Sequence, residues 1–228
     1  MVMTNSLTDT KVRSVLDRLF EAAEVEERVQ LALPEGFDPA AGSADQRAHV
    51  LQHAYLPISA QGGDLLYALA RSARPDIVVE FGTSYGISTL FLAAAVVDNG
   101  AGHVLTTELS PVKVDAARAS LAAAGLDGAV TVVSGDARET LADIAGPIGL
   151  VLLDGWKDLC LPVLRLLEDK LAPGALVIAD DVTFPSMGSY LAYVRDPANG
   201  YVSVNFPVED GMEISCRATA GTSATVAG

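Results

Sequence analysis

The chain has 228 residues, which is enough for one domain with a full hydrophobic core. Hydrophobic residues make up 50% and charged residues 19%, a balance typical of a globular protein and not of a disordered one. The formal net charge of −14 repels phosphate backbones and anionic lipids, so we expect neither a nucleic-acid partner nor a membrane partner. The polar N-terminus lacks the apolar stretch of a signal peptide, and the two cysteines lie in ordinary helix and strand patterns, which predicts a cytoplasmic location.

Helical patterns occupy the first third of the chain. Apolar residues at helical spacing predict a first helix over residues 11–33, with polar residues 8–10 as its cap. Residues 34–42 contain two prolines and two glycines and are predicted to form a loop. Two more helices are predicted, over residues 43–55 and 59–72.

Short β-rich runs then alternate with helical patterns. Strands are predicted at residues 77–81, 103–108, 130–134, 150–153 and 175–179. The intervening helices are predicted at residues 86–97, 112–124, 138–144 and 161–171. Runs such as Leu150-Val151-Leu152-Leu153 are apolar on both faces, which is typical of buried parallel strands covered by helices on both sides. Alternating strands and helices therefore predict a doubly wound α/β fold.

The chain ends differently, with strand-like runs at residues 201–208 and 212–217 joined by Glu209-Asp210-Gly211, which predicts a hairpin. The expected architecture is a Rossmann-like, mostly parallel seven-stranded sheet with a C-terminal antiparallel hairpin and N-terminal helices. We divide the chain into an N-terminal helical cap (1–57), a sheet domain (58–217) and a flexible tail (218–228).

A glycine-containing loop follows the first predicted strand, in the segment Glu80-Phe81-Gly82-Thr83-Ser84-Tyr85-Gly86. Gly82 permits a sharp turn and a close approach of ligand to backbone, and Gly86 opens a helix whose free N–H groups favour a negative group. The spacing G-x-x-x-G lacks the middle glycine that makes room for a pyrophosphate in dinucleotide sites. A ligand with a carboxylate and no pyrophosphate fits this departure.

Polar residues also close the next two strands. Glu108 ends the second strand, where an acid accepts hydrogen bonds from both hydroxyls of a ribose, and Gly135-Asp136-Ala137 ends the third, where an adenine would lie. With these residues the chain resembles class I S-adenosylmethionine-dependent methyltransferases, whose donor site carries E-x-G-x-x-x-G, then an acid, then G-D-A. The resemblance implies that Glu80 and Ser88 hold the methionine end, that Glu108 holds the ribose, and that Asp136 and Ala137 flank the adenine.

The segment Asp154-Gly155-Trp156-Lys157-Asp158 closes the fourth strand. It is similar to the D-H-W-K-D segment of catechol O-methyltransferase-like, metal-dependent O-methyltransferases. The similarity continues through the following helix and the run Val177-Ile178-Ala179-Asp180-Asp181-Val182, and covers roughly residues 58–217. It implies that residues 58–217 form the methyltransferase domain, and that Gly82, Asp154 and Trp156 contact the donor.

Three carboxylates, those of Asp154, Asp180 and Asp181, lie at the ends of the fourth and fifth strands and should converge. Like charges this close repel unless a cation lies among them, and oxygen ligands suit Mg²⁺ best, with Ca²⁺ or Mn²⁺ as other occupants. Such an ion can bind a hydroxyl oxygen and lower its pKa, while Lys157, with its own pKa lowered by burial and by the cation, takes the proton. Asp154 and Lys157 are therefore the predicted catalytic residues. Trp156 would form a wall of the pocket near the sulfonium.

Three departures from the family pattern concern the acceptor and the metal. Asp181 stands where the family has asparagine, which adds a full charge to the metal site. The glutamate that catechol enzymes carry before the last hairpin is replaced by Val204 or Asn205, which argues against a catechol as the substrate itself. Gly155 replaces a histidine near the adenine and should leave more room. The loop 183–189 is expected to shape the acceptor pocket.

The predicted function is methyl transfer from S-adenosylmethionine to a hydroxyl of a small, aromatic molecule, assisted by a divalent metal. A metal-independent small-molecule methyltransferase remains an alternative, with the carboxylates structural or binding an amine. A nucleotide-binding oxidoreductase is a second, against which the missing glycine counts. A non-catalytic binding module is a third, against which the intact Asp154 and Lys157 argue. The oligomeric state stays open, with a homodimer among the options.

Overall fold

The computed structural model describes residues 5–29, 34, 36–37 and 42–218. Its centre is a seven-stranded sheet composed of β1 (Ile77–Phe81), β2 (His103–Glu108), β3 (Val130–Ser134), β4 (Ile148–Leu153), β5 (Leu171–Ala179), β6 (Tyr201–Phe206) and β7 (Met212–Arg217). The strand order is β3-β2-β1-β4-β5-β7-β6. Neighbouring strands among β1 to β5 run parallel, whereas β7 pairs antiparallel with both β5 and β6. The predicted Rossmann-like sheet with a C-terminal antiparallel hairpin is confirmed.

Helices cover both faces of this sheet. They are α1 (Thr10–Val29), α2 (Ala44–Val50), α3 (Ala60–Ala73), α4 (Ile87–Asn99), α5 (Pro111–Ala124), α6 (Ala137–Thr140), α7 (Cys160–Leu167) and α8 (Gly188–Arg195). One core joins α1, α3, α4 and α5 to one face, and a second core joins α6, α7 and α8 to the other. Successive strand residues alternate between them, so Val78 packs in the first core and Val79 in the second.

The central strands lie deepest in the molecule. Leu150, Val151, Leu152 and Leu153 of β4 are all 0% exposed, because this strand lies between two parallel neighbours and beneath helices on both faces. Helix α4 is apolar around most of its circumference and is buried along most of its length, in agreement with the rule that such helices lie inside a protein. This rigid centre fixes the positions of the loops at the carboxyl ends of the strands.

The boundaries of several elements differ from the predicted ones. Helix α2 ends at Val50 and α6 spans four residues, so both are shorter than predicted, and α7 ends at Leu167 in a 3₁₀ turn. Strand β5 begins at Leu171, four residues earlier than predicted. The reason is a register irregularity opposite Ile148 and Leu150, which accommodates the Pro173-Gly174 pair that resembles a strand breaker in the sequence.

Helix α8 was not predicted from the sequence, which places a loop over residues 183–189 and no element between this loop and β6. Its helical signal is the pair Tyr190 and Val194, four residues apart and both fully buried. The predicted flexible tail falls on residues 219–228, outside the described part apart from Ala218, and the end of the first predicted helix, residues 30–33, also falls outside it. Among the helices that the structure describes, none is both long and apolar enough to span a bilayer.

Candidate active site

A cavity of about 650 Å³ opens at the carboxyl ends of the parallel strands. The loops that follow β1, β2, β3, β4 and β5 form its base, and residues from the N-terminal segment 44–58 form its cover. Strand order reverses between β1 and β4, so the cavity lies at the topological switch point where open α/β sheets bind their ligands. Its size lies within the usual range for small-molecule sites.

The glycine loop tolerates no side chain at Gly82. Gly82 has a φ of +101°, and a Cβ at this position would lie 2.7 Å from the backbone of Asp154. The N–H groups of Gly82 and Thr83 both donate to the carbonyl of Thr107 on the neighbouring strand. Only glycine satisfies both the backbone conformation and the close approach, so the predicted turn is present and closely held.

Glu80 and Ser88, which were assigned to the methionine end, bind each other. Glu80 is fully buried and accepts hydrogen bonds from Ser88 Oγ at 2.6 Å and from Thr89 Oγ1 at 2.5 Å. Burial raises the pKa of Glu80 to about 7, even though the hydroxyl hydrogen bonds lower it. Ser88 lines the cavity, whereas Glu80 lies behind it. Glu80 is therefore placed to orient Ser88.

Glu108 lines the cavity at the end of β2, as expected for a ribose ligand. One carboxylate oxygen accepts from the N–H of Ser84 at 2.9 Å and the other from the N–H of Ser110 at 2.8 Å. A carboxylate has about four acceptor positions, so two remain for a ligand. The backbone thus fixes both oxygens in an orientation that suits a pair of hydroxyl donors.

Asp136 and Ala137 line the cavity beyond Glu108. The Asp136 carboxylate caps α6 by accepting from the N–H of Arg138 at 2.8 Å, and it forms an ion pair with the Arg138 guanidinium at 2.5 Å. The hydrogen bond from Arg138 lowers the pKa of Asp136, which keeps it ionised. Both residues line the cavity, and the protein itself holds the carboxylate of Asp136.

The three predicted metal-ligating acids do converge. Asp154, Asp180 and Asp181 each offer a carboxylate oxygen, and these oxygens lie within 4.8 Å of one another. Burial, followed by the charges of the other two acids, raises the pKa of Asp180 to about 8. Asp181 has a φ of +54°, a left-handed conformation that Asp and Asn tolerate better than most residues. The donor set consists of hard oxygen atoms only, which suits Mg²⁺ or Ca²⁺.

Lys157 connects two of these acids. Its Nζ lies 2.8 Å from Asp154 Oδ1 and 2.9 Å from Asp181 Oδ2, with only 14% of the side chain exposed. Burial lowers the pKa of Lys157, but the two carboxylates raise it more, so the net shift is upward and the predicted lowering, which a neutral base requires, is wrong for this arrangement. The lysine thus lies among the acids, and its charge partly neutralises theirs.

Trp156 lines the cavity, and its ring is covered by Arg47, which was not among the residues predicted for the site. The guanidinium carbon of Arg47 lies 4.8 Å from the ring centroid, and the same guanidinium donates to both oxygens of Asp158, at 2.7 and 3.1 Å. Arg47 lies 111 residues before Asp158, and no local motif marks it. This contact fastens α2 to the loop that carries Lys157.

Gly155 has a different role from the expected one. A Cβ at this position would lie 2.4 Å from the ring of Phe81. The space that a side chain would take is therefore filled by Phe81, and the glycine does not enlarge the adenine region. This constraint depends on packing between two strands, so a comparison of motifs could not reveal it.

The opposite end of the cavity is formed by residues that the sequence identified only in part. Leu56, Phe184, Ser186 and Asp210 line it, and Phe184 and Ser186 belong to the loop that was expected to shape an acceptor pocket. Neither Val204 nor Asn205 is among the lining residues, and Val204 is 62% exposed. Asp210 reaches the cavity because the hairpin turn is hydrogen-bonded to the loop that follows β5. The N–H of Thr183 donates to the Asp210 carbonyl at 3.0 Å.

Comparisons with known proteins agree with this geometry. Residues 79–182 match a family model described as a methyltransferase domain. Catechol O-methyltransferase B of Danio rerio is 33% identical over 167 residues, which cover 67% of this chain and 62% of that protein. Catechol O-methyltransferase of Sus scrofa is 31% identical over 140 residues, covering 58% of this chain and 74% of that protein.

Solved structures agree on the fold. The crystal structure of cofactor-bound Rv0187 from MTB superimposes with a TM-score of 0.69 at 23% identity, covering 92% of this chain and 93% of that one. The chain spans less than two thirds of the length of the Danio rerio relative but about three quarters of the Sus scrofa one. Together with the sheet order and the glycine loop, these similarities show that the chain belongs to the class I S-adenosylmethionine-dependent O-methyltransferase family, which includes the catechol O-methyltransferases.

Proposed function

We propose that this protein transfers a methyl group from S-adenosylmethionine to a hydroxyl of a small aromatic molecule, with a divalent cation, Mg²⁺ first, at the acid cluster. One observation carries the proposal. The presumed ribose ligand Glu108, the three acids and Lys157 all line one cavity of about 650 Å³, so a donor and an acceptor can meet there.

The donor half fits an adenosyl ligand. Gly82 provides a cradle that any side chain would fill, and Glu108 keeps two acceptor positions for a ribose diol. Asp136 and Ala137 would lie beside the adenine, with Ser88 at the methionine end and Gly82, Asp154 and Trp156 between them. When bound, S-adenosylmethionine supplies an electrophilic methyl group on a sulfonium.

The acid cluster fits a divalent cation through Asp154, Asp180 and Asp181, since their oxygens lie close together and are of the type that Mg²⁺, Ca²⁺ and Mn²⁺ prefer. When bound, such a cation supplies a Lewis acid that favours the ionised form of a hydroxyl.

The chain's own residues orient the acceptor and assist the ionisation of its hydroxyl. Leu56 and Phe184 provide apolar surface for a ring at the mouth of the cavity, and they reduce the access of water. Lys157 Nζ, kept charged by Asp154 and Asp181, is positioned to donate a hydrogen bond to the acceptor oxygen and to stabilise its negative charge as the hydroxyl proton leaves to water. Holding donor and acceptor in one orientation supplies much of the rate acceleration in such transfers.

The proposal is tested with S-adenosylmethionine labelled in its methyl group and a panel of phenols, catechols, non-aromatic alcohols, amines and thiols, with Mg²⁺ present. We expect the label to appear on an aromatic hydroxyl. Label on an amine or a thiol, with none on any hydroxyl, would contradict the proposed acceptor class.

A metal-independent methyltransferase is the second candidate, and one observation favours it. The ammonium of Lys157 already pairs with Asp154 and Asp181, which reduces the repulsion that a cation would otherwise relieve. The two candidates differ in their response to a chelator, because only the first loses methyl transfer when divalent ions are removed.

We also propose a cytoplasmic location and the homodimer as one assembly of the chain. Supporting the homodimer, the outermost strand β6 exposes Val202, Val204 and Phe206 on alternate positions. Light scattering on the purified protein measures the assembly directly, and a monomer at all concentrations would contradict it.

A further inference from the structure

Lys113 is a buried lysine that the proposed mechanism does not use. It lies in the first turns of α5, five residues after Glu108, and it is only 5% exposed. It lines the same cavity as Glu108. Its Nζ forms no hydrogen bond or ion pair with the described residues, and because it is not among the fully enclosed polar atoms, it is accessible from the cavity.

The surroundings of Lys113 leave its hydrogens without an acceptor. The Glu108 carboxylate, the foremost of the negative charges acting on it, is held by the N–H groups of Ser84 and Ser110. Tyr85 presents its ring at 6.0 Å from Nζ, which offers at most a weak cation–π contact. Burial lowers the pKa of Lys113 and the charges of Glu108, Glu26 and Asp154 raise it, with a net lowering. A ligand oxygen would therefore relieve an unfavourable arrangement.

We propose that Lys113 donates hydrogen bonds to the ribose oxygens of the nucleoside whose hydroxyls Glu108 accepts. The inference rests on the proposed function. A hydroxyl has one donor hydrogen and two acceptor lone pairs, whereas a carboxylate only accepts and an ammonium only donates. A ribose diol between Glu108 and Lys113 can donate to the carboxylate and accept from the ammonium. It therefore provides the hydrogen-bond partners that both side chains need.

This pairing distinguishes Lys113 from a lysine retained for stability. If the ammonium has no protein partner, its replacement by an apolar side chain of similar length removes an unpaired buried charge. We expect Lys113→Met to unfold at the same temperature as the wild-type protein or higher when no ligand is bound. A structural lysine would show the opposite.

The decisive experiment is a cycle between the residue and the ligand hydroxyls. Adenosine and 2′,3′-dideoxyadenosine are titrated by calorimetry into the wild-type protein, Lys113→Met, and the control Lys11→Met, which loses the same charge from an exposed position. We expect Lys113→Met to weaken adenosine binding about tenfold or more, the loss typical of a charged hydrogen bond, and to leave dideoxyadenosine within about twofold. Lys11→Met should change neither.

Equal weakening of both nucleosides, or weakening of neither, would overturn the inference while the wild-type protein still binds adenosine. If the wild-type protein binds neither adenosine nor S-adenosylhomocysteine, the proposed function itself fails, and the inference with it. Lys113→Gln serves as a second variant in the same cycle if the methionine variant does not fold.

Discussion

The two halves of the cavity are built in different ways. In the donor half, Gly82 and Glu108 are held by backbone groups of neighbouring strand–loop units, so their geometry follows from the sheet. In the acceptor half, Leu56, Phe184 and Asp210 come from three distant segments, and Leu56 and Phe184 are about half exposed. The difference indicates that the fold determines the donor, whereas loops that can vary independently determine the acceptor.

The acid cluster lies between these halves. Substitution of Lys157, which pairs with two of the acids, is expected to cause the largest change in activity. Lys157→Ala should lower kcat by about 10²–10³, the usual range for loss of one group that stabilises developing negative charge, while donor affinity changes little. Lys157→Arg should restore part of the activity, because arginine keeps the positive charge, whereas it could not replace a neutral base. Rates measured across a pH series on one acceptor, with Lys11→Ala as the control, provide the test. A wild-type kcat for the alanine variant would exclude Lys157 from the transfer step.

Substitution of Glu108 is expected to have the next largest effect, which is confined to binding of the donor. Glu108→Ala should weaken S-adenosylmethionine binding by roughly 1.5–3 kcal/mol, the value for hydrogen bonds to a charged group. Affinity for the metal should stay the same, since Glu108 is not part of the acid cluster. Calorimetry with donor and with Mg²⁺ separates the two halves, and an unchanged donor affinity would remove Glu108 from the ribose site.

Substitution of Gly155, at the boundary of the donor half, is expected to have the smallest effect, a loss of folding stability. A methyl group at this position would overlap the Phe81 ring, so Gly155→Ala should destabilise the fold by about 1–3 kcal/mol, as overpacking of a core does. Adding Phe81→Leu should recover part of that loss. Urea unfolding of both single variants and the double variant measures the coupling. Additive effects would mean that Phe81 does not restrict position 155.

The donor half could be predicted from the sequence because its signals are local. Gly82 directly follows the buried apolar strand β1, and Glu108 closes the next strand, so the parallel topology brings both to one edge of the sheet. The same logic predicted that Asp154, Asp180 and Asp181 converge, since β4 and β5 are neighbours.

The rest depends on contacts between distant segments. The pairing of Arg47 with Asp158 spans 111 residues, and the burial of Lys113 depends on how α5 packs beside the cavity. Asp210 is brought to the cavity by hydrogen bonds between the hairpin turn and the segment 182–183. Periodicity and motif spacing carry no record of such contacts, because the tertiary packing creates them.

The central claim is that the donor half binds on its own and that the acid cluster serves the transfer. The measurement that tests it most directly compares S-adenosylmethionine affinity and methyl transfer before and after exhaustive removal of divalent ions. We expect transfer to be abolished and restored by added Mg²⁺, with donor affinity unchanged within about twofold, which is less than one ordinary hydrogen bond contributes. Full transfer after chelation would contradict a metal role for Asp154, Asp180 and Asp181 and would favour the metal-independent enzyme.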